Sequence, residues 1–433
     1  MVATLSENEL GYVLLTLRAG QWIMGTKGDP YGLVLRAADD DPHAVGRAAR
    51  ERGALFWSSA EAWVTAGHEQ VAAALDDPRL TPSPRAGRVP LDEERPAPWV
   101  VPGLRDVLPL AGLPTELDRH EYERLRDLAA STIADTAASR RWQEAADRIF
   151  LDRIDGLGER FDLMADLVRP AVVAFTGLLL GMEPDSRHGA RFALLGERAA
   201  GALDATLCPP APATAGRLTA TMPELSGLLT EVIGAATGDD SVVARLLGAA
   251  SADGSPLDAD VRTVSALLAT GGTELAADLL CNAVDALLDH PGQWELLRAD
   301  PGLVPAAIDE TLRYAPPVRL HRLYAREEFE LAGNTIAEGE EVVVLIEAAQ
   351  RDPSVHEAPD RFDLRRATRA RHFVHAEGVW TGLVGPLVRL QAEAGLRAVV
   401  TAVPRISRTG EVLRRLRSPL TRGVLRFPVT GGA

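Results

Sequence analysis

The sequence predicts a mainly α-helical protein with small β-sheets, and three observations carry that expectation. An Ala- and Leu-rich stretch from about Asp258 to His290 is the strongest helix in the chain, ended by Pro291 and Gly292. LDRHEYERLRDLA, Leu117 to Ala129, spaces Leu117, Leu125 and Leu128 for one buried helix face. The β-favouring stretches are short: LFWSSAEAWVTA after Ala54 reads as two strands around a turn, and ELAGNTIAEGEEVVVLI, Glu330 to Ile346, as a sheet segment.

Composition sets the bounds. On length alone, 433 residues allow about three domains, a prior that a single large fold can override. With 46% hydrophobic and 25% charged residues the chain can bury a large core. A net charge of -15 opposes non-specific attachment to nucleic acid or anionic membrane, both of which need a cationic face. Cys208 and Cys281 are too few for a disulfide framework and lack metal-ligand spacing. MVATLSENELG has no basic region leading to an apolar core, and Ala171 to Met182 is too short to span a bilayer, so it reads as buried helix. A reduced, cytoplasmic setting is expected.

In chain order, residues 1–40 form an N-terminal segment ahead of a single domain over 41–433. The segment carries Tyr12, Trp22, Ile23, Met24 and Tyr31 among glycines and polar residues. Two readings stand: a segment packed on its own core, or an apolar docking surface formed by Tyr12, Trp22, Ile23 and Tyr31. GTKGDP at 25–30 is a turn, because no strand and helix of the right spacing flank it. His68 to Leu75 is a helix stopped before Asp76, Asp77 and Pro78, and the proline-rich residues 91–116 have no clear period. Within the long helix, Glu274 is expected to be solvated or locally paired. Glu310 and Arg313 stand at i and i+3, where they can pair. From Arg414, RRLRSPLTRGVLRFPV reads as a hairpin with solvated arginines. No phosphate-binding glycine loop, nucleophile elbow, H-E-x-x-H helix or paired zinc spacing is present.

HFVHAEGVWTGLVGPLVR, His372 to Arg389, resembles the haem-binding signature of the cytochrome P-450 superfamily with its key residues changed. In register with that signature, the cysteine position is Gly382, the usual Phe is His375, the usual His is Trp380, and Gly378 keeps its place in the turn. LLATGGTELAADLL resembles the central helix of that family, with Leu275 where a threonine follows the acid. The propionate-binding His and Arg correspond to Tyr122 and Arg126, and a further arginine expected near 323 is displaced, with Arg322 beside Leu323. The resemblance further implies a structural triad of Glu310, Arg313 and Arg361.

Together with Gln21-Trp22 and Gly28-Asp29-Pro30-Tyr31, these losses resemble one subgroup: haem-free auxiliary proteins that accompany deoxysugar glycosyltransferases in macrolide and anthracycline pathways. That resemblance implies a cytochrome P-450-like fold without the haem cysteine, no cofactor, no catalytic residue, no metal, and a TDP-deoxysugar glycosyltransferase as partner. Two other functions stay open at this point: a haem protein using His372 or His375 as ligand, and a recruitment domain for tailoring enzymes.

Overall fold

A computed structural model describes residues 6–38, 40–82, 104, 108, 110, 117–238, 240–253, 257–366, 370–375 and 379–431. Most of the proline-rich 91–116 stretch and Gly378 lie outside the described residues.

The chain opens with α1 (Glu7–Thr26), started by a capping box between Ser6 and Glu9. Asp29 caps α2 (Pro30–Arg36), whose first residue is proline. The two helices meet backbone to backbone: a Cβ on Gly32 would lie 2.8 Å from the carbonyl carbon of Met24. Residues of α2 share the main core, with Tyr31, Val34 and Leu35 buried, so no structural seam falls at residue 40. Strands β1 (Phe56–Trp57) and β2 (Trp63–Thr65) then appear as the sequence suggests, followed by α3 (His68–Asp76) and β3 (Leu80–Thr81).

A largely helical body follows: α4 (Arg119–Ala138), α5 (Arg140–Asp155), α6 (Arg169–Leu179), α7 (Arg187–Arg198) and α8 (Pro212–Ala235), with β4 (Arg160–Asp162) between α5 and α6. Its axis is α9, which runs Leu257–Leu267, passes through a π-helical turn Leu268–Gly272 and continues Thr273–Asp289. Every residue from Thr273 to Val284 is buried, the polar Glu274, Asp278 and Asn282 among them. Among the described residues α9 alone is long and apolar enough to cross a membrane, and its most apolar stretch is buried inside the protein.

After α10 (Val304–Tyr314) come β5 (His321–Ala325) and β6 (Glu341–Val344). They complete a five-stranded sheet in the order β1-β2-β6-β5-β3, parallel only between β2 and β6. The last long helix, α11 (Trp380–Ala402), packs on α4, α5 and α9. Short strands close the chain: β7 (Ser407–Arg408), the hairpin of β8 (Leu413–Arg414) with β9 (Val424–Arg426), and β10 (Pro428–Thr430), which joins β4 and β7.

Candidate functional site

Two helices frame the position at which a haem ligand is expected. The π-turn of α9 places Gly271 and Gly272 opposite the start of α11. Trp380 is the first residue of α11 and is buried. A Cβ added to Gly271 would lie 2.3 Å from Cζ3 of Trp380, so the indole rests directly on the backbone of α9. One step on, a Cβ at Gly272 would meet Cβ of Val384 at 4.0 Å. The two helices are therefore in contact through an indole and an aliphatic side chain.

Gly382 sits in the first turn of α11, its N–H donating to the Val379 carbonyl at 3.0 Å. It has no side chain with which to bind iron. Leu275 is fully buried on α9 and brings no hydroxyl to the interior. Arg126 pairs at the surface with neighbouring Asp127 at 3.3 Å, while Arg322 reaches the Thr206 carbonyl at 3.5 Å.

The loop histidines do not make good the loss. His375 packs against α11 itself, where a Cβ at Gly385 would lie 2.7 Å from its ring. Its Nδ1 lies 3.2 Å from the Thr381 carbonyl. Burial pushes it down to about 4, so the ring is neutral at physiological pH. Burial also lowers His372. Without a thiolate at 382, and with the indole of Trp380 standing between α9 and α11, the residues present do not fit an iron porphyrin.

The structural charges survive with one substitution of roles. Arg313 is fully buried and grips Glu310 through two hydrogen bonds of 2.8 Å. It also donates to the carbonyls of Pro359 at 2.8 Å and Arg361 at 3.0 Å. The expected third member, Arg361, contributes only that carbonyl; its side chain is 66% exposed beside Asp363. The guanidinium that completes the set belongs to Arg366, 3.1 Å from Glu310 and 2.6 Å from the Arg361 carbonyl. The chain turns between 361 and 366, and the long side chain of the later residue reaches back over the loop. The Arg365-Arg366 pair was the sequence signal for this alternative.

A second charge cluster departs further from expectation. Glu274 is neither solvated nor paired within its own helix: it is buried against Arg415, with Arg169 at 3.5 Å and the Gly201 N–H at 3.4 Å. Arg415 and Arg414 come from the β8–β9 hairpin, so two of the arginines expected in solvent are internal. Arg414 binds Asn282 at 2.9 Å and Asp285 at 3.0 Å. One helical turn after Glu274, the buried carboxylate of Asp278 accepts the Val424 N–H at 3.0 Å. Burial, reinforced by Glu274, pushes Asp278 up to about 7. Burial acts on Glu274 in the same sense, but Arg415 and Arg169 outweigh it and hold the group at about 2.

Of the four docking candidates, Tyr12, Trp22 and Ile23 are exposed on α1. Tyr31 is not a surface residue: it is 2% exposed and donates to Glu341 at 3.3 Å. The start of α2 is drawn into the core, carrying this side chain with it.

Comparison with known proteins places the sequence and the fold. A cytochrome P-450 family model matches residues 297–378. Protein AknT of Streptomyces galilaeus is 38% identical over 99% of this chain and 97% of its own length. EryCII of Saccharopolyspora erythraea, described as a cytochrome P-450 family protein, is 31% identical over 97% of both chains. PikC, a cytochrome P-450 monooxygenase of Streptomyces venezuelae, is 31% identical over 85% of each. The structure of epothilone B-bound cytochrome P-450epoK shares the fold, with a TM-score of 0.79 over 91% of this chain and 97% of that one at 24% identity.

Proposed function

We propose that this chain, which belongs to the cytochrome P-450 family, is a non-catalytic auxiliary protein that binds a TDP-deoxysugar glycosyltransferase of polyketide antibiotic biosynthesis and holds it in its active form. The observation that carries this reading is the contact of Trp380 with Gly271 above a glycine at the ligand position. A monooxygenase needs a thiolate to push electron density onto iron. Here the position that the resemblance gives to the ligand is a glycine and an indole packs between α9 and α11, so the reading assigns no haem and no oxygen chemistry to the chain.

The partner class comes from the subgroup that the sequence resembles. The match to AknT and EryCII, 99% and 97% of the chain, supports placing it with them rather than with PikC, which aligns over 85%. An activator of this type works by linkage. A protein that binds only the competent conformation of an enzyme stabilises it by about 2.7 kcal/mol when present at about a hundredfold over its Kd. No reactive group is required. In this reading the fold serves as a binding scaffold, with the indole of Trp380 packed between α9 and α11.

The test uses the glycosyltransferase of the same biosynthetic gene cluster, purified alone and with this chain, and follows sugar transfer and the soluble fraction of the transferase. Transfer should rise by about tenfold or more, equivalent to a coupling of about 1.4 kcal/mol. Equal activity and equal solubility with and without the chain would overturn the reading. Stoichiometric porphyrin in freshly isolated protein, seen as a Soret band, would do so independently.

A further inference from the structure

Surface helices ordinarily turn their apolar side toward the core. Helix α1 sets Leu10 and Leu14 against the core but also leaves an apolar stripe in solvent. Of its twenty residues only Leu14 and Gly25 are buried, while Tyr12 is 73%, Leu15 59%, Trp22 48% and Ile23 55% exposed. At 3.6 residues per turn these four fall within an arc of about 100°. The stripe carries no ionised side chain; Glu9 is tied back to Ser6 in the cap at one end.

The inner side of α1 is held by polar contacts instead. Arg18 donates to the Leu35 carbonyl at 3.2 Å and lies 3.3 Å from Sγ of Cys208, and Gln21 donates to the Leu207 carbonyl at 2.8 Å. With the close approach of Gly25 and Gly32, these fix the helix although little apolar surface is buried beneath it. The exposed indole of Trp22 is itself oriented, lying against the guanidinium groups of Arg18 at 5.7 Å and Arg36 at 5.4 Å. An aromatic anchor set in place before binding loses less freedom on association.

Area and charge select the occupant. A twenty-residue helix is about 30 Å long, so one stripe about 10 Å wide offers on the order of 300 Å². A stable interface takes about 800 Å² from each partner, which a second copy laid flat along the stripe does not reach. A groove that closes around the stripe also covers Asn8, Ala19 and Thr26, which share its arc and are exposed. A lipid surface is disfavoured, because α1 has no lysine and the chain carries a net charge of -15.

We propose that α1 enters an apolar groove on the glycosyltransferase, with Tyr12, Leu15, Trp22 and Ile23 as the residues inside it. The proposal rests on the auxiliary function above and adds the surface and its mode of binding. The test compares the full-length chain with the double variant Leu15→Asp/Ile23→Asp, the milder Tyr12→Ala/Trp22→Ala, and a control, Leu425→Asp, at an exposed leucine outside α1. Each is checked for an unchanged thermal transition, then titrated against the purified transferase of its own cluster and assayed for activation.

The aspartate pair should weaken binding by about a hundredfold or more and abolish activation, the alanine pair should weaken binding by about tenfold, and Leu425→Asp should match the unaltered chain. If the unaltered chain activates the transferase and both α1 variants do so equally well, the docking proposal falls while the auxiliary function stands. If the unaltered chain neither binds nor activates, both fall. A self-associating chain made monomeric by Ile23→Asp, with transferase binding unchanged, would assign the stripe to a second copy and overturn the proposal.

Discussion

Two buried charge networks stand in this protein, and they are built to different standards. Around Arg313 every strong charge has a matched partner: Glu310 binds it through both carboxylate oxygens, Arg366 and the Asp363 N–H take up Glu310 again, and the carbonyls of Gln350, Pro359 and Arg361 absorb the remaining guanidinium donors. Around Glu274 the matching is incomplete. Asp278 is brought within one turn of a second carboxylate, and its Oδ2, like Nη2 of Arg169, has no hydrogen-bond partner among the described residues. The first network ties the loop before the ligand turn to the body of the fold. The second ties the C-terminal hairpin to α9, next to Leu275. Satisfied networks specify a structure, and partly satisfied ones make it sensitive to solvent conditions.

The largest effect is expected from breaking the satisfied network. Glu310→Gln leaves Arg313 and Arg366 facing a neutral group in a region closed to water. It should cost about 3 to 5 kcal/mol in urea denaturation, or prevent folding. A loss below about 1 kcal/mol would mean that the first network matters no more than an exposed ion pair.

Arg415→Leu asks the same question of the second network. It strands Glu274 and Asp278 together, with Arg169 as their remaining nearby cation. A loss of about 2 to 3 kcal/mol at pH 8 is expected, shrinking at pH 5, where one of the carboxylates takes up a proton. A loss that does not change between the two pH values would show that the carboxylates are not the source.

A third prediction concerns pH in the unaltered chain. Asp278 titrates at about 7 in the fold against an ordinary 3.8, so the folded state holds its proton more tightly than the unfolded one. Its contribution is fully present below about pH 4 and is lost as pH rises toward 7. Glu274 acts oppositely: held at about 2 against 4.5, it contributes above pH 4.5 and loses that contribution as pH falls. Asp278→Asn should remove the decline between about pH 4 and 7 and leave the acid limb. Urea midpoints at successive pH values should fall across that window for the unaltered chain and stay level for the variant.

The unequal legibility of these networks in the sequence has a physical cause. Glu310 and Arg313 lie one turn apart on the same helix, so their pairing could be read from spacing alone. Arg366 and Arg361 both stand in an irregular loop, and choosing between them requires the path of the chain. Glu274 meets Arg415 from 141 residues away, a contact that periodicity cannot reveal. The long helix and the two strands at 56–65 were readable because each depends on local pattern, whereas the exposure of Tyr12, Trp22 and Ile23 was one of two open readings that only the packing of α1 decides. Tyr31 was misread because aromatic composition does not say which way a short helix turns. The packing of Trp380 on Gly271 required both partners, although the Gly271-Gly272 pair marked a place where something could come close to α9.

The smallest effect is expected at Gly382. It stands in the first helical turn and is only partly buried, where a small side chain in place of glycine changes helix stability by less than about 1 kcal/mol. Gly382→Cys should therefore fold as the unaltered chain does, in contrast to either network variant. It should also fail to produce a thiolate-ligated Soret band on incubation with haemin, because the indole of Trp380 stays seated on Gly271 between α9 and α11. Adding Trp380→Ala opens the space without restoring an oxygen-side hydroxyl at Leu275. If the double variant takes up haem and the single one does not, the indole is the barrier, and the seat is closed by packing as well as by loss of the ligand. If the single variant binds haem stoichiometrically, the contact between α9 and α11 yields to a porphyrin, and the missing sulfur alone separates this chain from a haem protein.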